Sequence, residues 1–171
     1  MNNEVINETK KYIKSLRLAG IRKDLNKRIQ IAYKKDQSYE SFLRDIFKKS
    51  YEIRKENGRK RRIRNAKFPY MKYFEDLNKE YLPEAAQEKL KELRSLNFIE
   101  ENRNIILSGS PGTGKTHISI SLGIKACNAG YKVYFSTAAN LINLLKESQS
   151  ERRLRALENK FQKYSLVVLD E

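Results

Sequence analysis

Eight consecutive residues, Gly109-Ser110-Pro111-Gly112-Thr113-Gly114-Lys115-Thr116, constrain this chain more than any other stretch. They satisfy the pattern GxxxxGK[S/T] at every required position. Glycines at that spacing let the backbone curl until successive N–H groups point inward at phosphate oxygens. A helix starting at the lysine then adds its positive N-terminal end. The pattern needs a strand before it and a helix after it, and both are legible. Asn104-Ile105-Ile106-Leu107-Ser108 reads as a short buried strand, and residues 115–128 read as a helix ending at Gly130. The expected phosphate cradle is Gly109 to Thr116 together with the backbone N–H of His117. Lys115 reaches the β/γ-phosphates, and the Thr116 hydroxyl ligates Mg²⁺. The competing reading, a glycine-rich turn that binds nothing, is disfavoured by that flanking pattern. The imidazole of His117, the single histidine, is expected to pack or face solvent rather than to react.

The remainder of this half alternates short apolar runs with helical patterns, which is the signature of a parallel sheet with crossover helices. Residues 132–136 form the expected second strand. Thr137 caps a helix bearing Leu141, Leu144 and Leu145, and a further helix carries Leu154, Leu157 and Phe161. A third strand, Leu166-Val167-Val168-Leu169, delivers Asp170 and Glu171 at its C-terminal end, the Walker B arrangement. Asp170 would hold Mg²⁺, usually through water, and Glu171 would polarise the water that attacks the γ-phosphate. Four apolar residues followed by two acids are common in isolation; their place after a P-loop gives them meaning. Lys115 and Glu171 are the candidate catalytic residues, with ATP and Mg²⁺ the expected cofactors.

The front of the chain differs. Residues 5–33 carry Leu18, Ile21, Leu25, Ile29 and Ala32 at helical spacing, with Gly20 a point of bending or breakage. After a turn at 35–38, with Ser38 a plausible N-cap, Phe42, Leu43, Ile46, Phe47 and Ile53 form a second apolar stripe, so these helices should pack together. That second helix runs into residues 54–64, where Arg54, Lys55, Arg59, Lys60, Arg61, Arg62 and Arg64 are basic, and Phe68-Pro69 ends it. Residues 70–82 read as a connector, and Pro83 opens a helix with Ala86, Leu90 and Leu93 on one side. The fold class is therefore α/β: a basic α-helical N-terminal domain, 1–75, followed by a partial P-loop NTPase domain, 76–171, with a parallel sheet and flanking helices.

The net charge of +15 is concentrated in the first part of the chain. Such an excess favours a polyanion, since each Lys or Arg placed against a phosphate releases counterions. Arg59, Lys60, Arg61, Arg62 and Arg64 are the candidate double-stranded DNA contacts; a merely solvated basic helix face is the bland alternative. A membrane surface is disfavoured because the densest basic run carries only Ile63 as an apolar residue. The N-terminus lacks a secretory apolar core and no apolar run is long enough to span a bilayer, so a cytoplasmic location is expected. One cysteine, Cys127, permits neither a disulfide framework nor a CxxC metal site, and its apolar surroundings read as a buried inert thiol.

Several runs together resemble the IstB/DnaC-like ATPases. They are residues 104–117, Gly123-Ile124-Lys125-Ala126-Cys127, residues 130–135, Leu141-Ile142-Asn143-Leu144-Leu145 and residues 164–171. Leu18-Ala19-Gly20-Ile21 and Arg64-Asn65-Ala66-Lys67-Phe68-Pro69 in the helical part look like that family as well. The resemblance implies an AAA+ ATPase with a helical N-terminal domain that assembles as an ATP-dependent homo-oligomer on DNA. Family members include helpers of a transposase and loaders of a replicative helicase; the helical part favours the transposition helpers. It also implies the sheet order 5-1-4-3-2. The strand expected between the first and third strands seen here, the sensor residues, the arginine finger and the lid have no counterpart in the sequence. An unpaired first strand with an exposed apolar edge is therefore expected, as in an interrupted gene product.

Two other readings compete. One is a catalytically incomplete chain acting only as a DNA-binding helical module. The other is a P-loop kinase of a small molecule, disfavoured because no acceptor pocket or arginine-rich lid is recognisable and the Asp170-Glu171 pair suits activation of water.

Overall fold

A computed structural model describes residues 3–78 and 82–171, and the chain divides into two compact units, residues 1–58 and 59–171. The division falls inside one continuous helix, ahead of the 75/76 boundary expected from sequence. The cause is local: Ala66 is fully buried and Ile63 packs in the core of the second unit, so the end of this helix belongs to that unit. Of the connector expected at 70–82, residues 79–81 lie outside the described residues.

The first unit holds α1 (Asn3–Ser15), α2 (Leu25–Lys34) and the front of α3 (Tyr39–Ala66). The helical segment expected over 5–33, with Gly20 its point of bending or breakage, is broken at 16–24. Gly20 has φ +74°, and a Cβ there would collide with the Ile53 side chain, so glycine serves both the left-handed backbone and the close approach. Ile6, Ile13, Ile21, Leu25 and Ile46 form the core, with Leu18, Ile29 and Phe42 against it. The expected stripe on α3 is only partly used: Leu43 and Phe47 remain more than half exposed, because the described residues of this unit cover one side of α3. The amide of Ser41 donates to the Ser38 hydroxyl at 3.3 Å, as expected of a helix start.

The second unit continues with a 3-10 turn (Phe74–Asp76), α4 (Glu84–Leu93), α5 (Asn97–Glu100), α6 (Lys115–Ala129), β1 (Val133–Thr137), α7 (Ala138–Ser150), α8 (Leu154–Phe161) and β2 (Leu166–Asp170). β1 and β2 are parallel, with Val133 opposite Leu166 and Thr137 opposite Asp170. Both faces of β1 are covered, as a parallel strand requires, whereas Val167 and Leu169 of β2 remain exposed. Phe135 meets Phe68 on one side, while Tyr134 meets Phe161 and Tyr164 on the other. The α6 helix supplies much of the core through Ile118, Ile120, Leu122, Ile124, Ala126 and Cys127.

The strand expected at 104–108 does not form, since none of those residues joins a ladder. A cavity of about 580 Å³ is lined both by Ile105, Ile106 and Leu107 and by Leu166 to Leu169. Strands pair only at about 4.8 Å, so the intervening space denies residues 104–108 a partner. Ile106 is left 90% exposed, in line with the exposed apolar edge expected at this segment. Among the described residues no helix is long and apolar enough to cross a membrane.

Candidate nucleotide site

The cradle is built by backbone conformation. Gly112 and Gly114 have φ of +80° and +85°, values that only glycine adopts cheaply, and Gly114 stands immediately before α6. The loop is tied internally. The Thr113 hydroxyl donates to the Ser110 carbonyl at 2.8 Å, and Lys115 Nζ donates to the carbonyls of Gly109 and Ser110 at 2.9 and 3.1 Å. Lys115 is half-buried at the head of α6, so its ammonium stays at the loop rather than in bulk water.

Thr116 closes the arrangement. Its hydroxyl lies 2.9 Å from Oδ1 and 3.0 Å from Oδ2 of Asp170, 54 residues further along the chain. Asp170 ends β2 opposite Thr137, and its contact with Thr116 sets that strand end against the start of α6. The glycine loop and the acid that ends β2, expected from the sequence as two halves of one site, thus lie side by side. Glu171 is exposed and lines the same cavity as Pro111, Gly112, Lys115, Thr116 and Asp170.

Thr116 and Asp170 fit a magnesium ion. A hydroxyl and a carboxylate, held together by their own hydrogen bond, are the hard oxygen donors this cation takes, directly or through water. No group of three or more His, Cys, Asp or Glu that could hold a metal exists among the described residues. Magnesium takes one or two protein oxygens and completes its shell with phosphate and water.

A second cavity, of about 630 Å³, opens on the other side of residues 104–109. Leu82, Pro83, Ala86, Leu90 and Leu93 form an apolar wall, with Gly109 and Lys115 at one end. Helical spacing alone put Ala86, Leu90 and Leu93 on one side of α4 but gave them no part in a site.

His117 behaves as a structural group. Its Nε2 lies 2.7 Å from the Tyr73 carbonyl oxygen, and since a carbonyl only accepts, Nε2 carries the proton. Cys127 is fully buried, as expected, and burial pushes its thiol up to about 11 against the opposing influence of the Arg62 guanidinium.

The five candidate DNA contacts separate into two groups. Arg62 is half-buried and donates through Nε at 2.8 Å to the Cys127 carbonyl, near the C-terminal end of α6, where that carbonyl also accepts from the Gly130 N–H at 3.3 Å. Arg59 is also half-buried, and its Nη1 donates to Asn128 Oδ1 at 3.3 Å. Lys60, Arg61 and Arg64 are exposed. The signal was present in the sequence: Arg59, Arg62, Ile63 and Ala66 share one helical face, and the last two are apolar.

A glycine loop, the helix it feeds and an acid at the end of a parallel strand, joined through Thr116 and Asp170, define a P-loop NTPase fold of the α/β class. The family model described as IstB-like ATP binding protein matches residues 11–171. The ATP-binding protein of insertion sequence IS21 from Pseudomonas aeruginosa is 33% identical over 84% of this chain and 54% of its own length. That of insertion sequence IS5376 from Geobacillus stearothermophilus is 33% identical over 78% of this chain and 53% of its own. That of IS232 from Bacillus thuringiensis is 26% identical over 91% and 62%. The chain belongs to the IstB-like ATP binding protein family and spans about half the length of the first two relatives.

Proposed function

We propose that this chain binds ATP with Mg²⁺ as part of a DNA-associated transposition helper. The observation that carries the reading is the Thr116–Asp170 contact, which unites the P-loop with the acid of β2. Gly109 to Thr116 and the backbone N–H of His117 would hold the phosphates. Lys115 would leave the carbonyls of Gly109 and Ser110 for the β/γ-phosphate oxygens, and the apolar wall of Leu82, Pro83, Ala86 and Leu90 would receive the base. Thr116 and Asp170 would hold Mg²⁺, whose chemistry is to neutralise charge on the transferring phosphoryl group. Glu171, at the same cavity, would orient water for attack on the γ-phosphate.

The transposition reading is supported by family membership and by relatives named for insertion sequences. DNA association is supported by the exposed Lys60, Arg61 and Arg64 within a chain of net charge +15. A transposase would be the protein partner and a homo-oligomer on double-stranded DNA the working assembly; a replicative helicase is the alternative partner. A small-molecule kinase is not favoured by any contact at the site.

The test is MgATP binding by the protein beside Lys115→Ala. A loss of at least about tenfold in affinity is expected, since a charge-assisted contact contributes about 1.5–3 kcal/mol. Equal affinity in the two proteins would refute the site.

A further inference from the structure

The segment from the end of α3 through residue 77 runs antiparallel along α6 and touches it at successive turns. Starting from the far end, Arg59 meets Asn128, Arg62 meets the Cys127 carbonyl, and the Phe68 ring occupies the space a Cβ at Gly123 would need. The Ser121 hydroxyl then donates to the Lys72 carbonyl at 3.1 Å, His117 to the Tyr73 carbonyl, and Leu77 covers Gly114. Gly114, His117 and Ser121 fall on one face of α6, at spacings of three and four. Among these contacts His117 is the polar one in the first turn, next to Thr116.

The acceptor is itself held in place. The Tyr73 carbonyl also accepts from the Asp76 N–H at 3.1 Å, and the Tyr73 N–H donates to the Asp76 carboxylate at 3.3 Å. His117 therefore bonds to a fixed point. A helix of this geometry carries a side-chain oxygen about 4 Å from its axis, so a rotation of about 15° displaces that oxygen by about 1 Å. That is enough to break the Thr116–Asp170 contact.

We propose that His117 is a positioning residue of the phosphate site: by anchoring the first turn of α6 to the strap at Tyr73, it sets the Thr116 hydroxyl opposite Asp170. This rests on the reading of residues 109–116 and 170 as a nucleotide site. The imidazole touches no nucleotide in this role and acts through the helix.

The experiment compares wild type, His117→Ala, His117→Gln and Asp76→Ala. ATP affinity is measured with and without Mg²⁺, and amide hydrogen exchange at residues 114–119 is measured without nucleotide. Loss of one hydrogen bond corresponds to about 3- to 10-fold. His117→Ala should weaken MgATP binding by that factor and shrink the gain in affinity that Mg²⁺ brings, because Thr116 is the group displaced. Exchange in the first turn of α6 should rise similarly. Glutamine, which can donate to the same carbonyl, should restore both, and Asp76→Ala should reproduce part of the effect from the strap side. A uniform loss of stability would leave the Mg²⁺ gain unchanged, so an unchanged gain, or unchanged exchange, overturns the proposal. ATP binding that is equally strong in Lys115→Ala refutes the site reading instead, and the exchange comparison still decides whether His117 fixes the helix start.

Discussion

The Thr116 hydroxyl lies within 3.0 Å of both carboxylate oxygens of Asp170, so the last residue of the glycine motif and the last residue of β2 meet across 54 positions of sequence. Two groups converging there should matter chiefly when magnesium is present. Thr116→Val, which keeps the shape and removes the oxygen, is expected to lower MgATP affinity by about tenfold while changing Mg²⁺-free affinity by less than about threefold. Asp170→Asn should act in the same direction. Titration calorimetry with and without Mg²⁺ checks both, and equal losses in the two conditions would mean that these oxygens do not hold the ion.

Gly123 is a packing position rather than a turn. A Cβ at this position would stand 2.7 and 2.8 Å from two ring carbons of Phe68, inside any normal contact. Gly123→Ala should therefore destabilise the second unit by about 1–3 kcal/mol through overpacking, despite alanine's better helix propensity. For a chain of this length that is a drop of roughly 3–10 °C in melting temperature. Combining it with Phe68→Leu should recover part of the loss; additive losses in the double variant would place the ring elsewhere.

The glycine loop, α6, β1, α7, α8 and β2 were legible in the sequence because each arises from local signals: glycine spacing, apolar periodicity, and the Thr137 cap whose hydroxyl accepts from the Asn140 N–H. Residues 104–108 depart from their pattern for a physical reason. The pattern is that of a strand, but a strand exists only when another pairs with it, and here a cavity separates them from β2. The strap was invisible because it depends on backbone carbonyls, those of Lys72 and Tyr73, which no side-chain pattern marks. The stripe on α3 misled in the other direction: Leu43 and Phe47 share the spacing of Ile46, yet burial needs a covering element as well as a stripe.

The Cys127 thiol should be inert in the native protein and reactive once unfolded. Its folded value of about 11, against an ordinary 9.0, lowers the thiolate fraction near neutral pH by about 100-fold, and its burial blocks access besides. Labelling with a thiol reagent at pH 7.5 should be negligible until denaturant is added. Because the folded state binds the thiol proton more tightly, this contribution to stability is present below pH 9 and disappears between pH 9 and 11. It is of the order of 2 kcal/mol. Cys127→Ala should flatten the fall in stability over that interval relative to wild type, and identical slopes would remove the thiol as its cause.

The two groups of basic residues on α3 should give different phenotypes. Lys60, Arg61 and Arg64 are exposed, so replacing all three with alanine should leave thermal stability within about 1 kcal/mol of wild type. If they contact phosphate, double-stranded DNA affinity should fall, and the slope of log affinity against log salt should shrink by up to about 2.7, at about 0.9 per contact. Arg62 instead caps α6 through the Cys127 carbonyl, so Arg62→Ala should lower stability by about 1.5–3 kcal/mol, the range for a charge-assisted bond. Its effect on the salt slope should be less than about 0.5, because its guanidinium already has a protein partner. Salt-dependent DNA binding and thermal melts of the two variants separate these roles. An unchanged salt slope in the triple variant would leave the basic face of α3 as solvated surface, and a large slope change in Arg62→Ala would mean that this arginine leaves α6 to reach DNA.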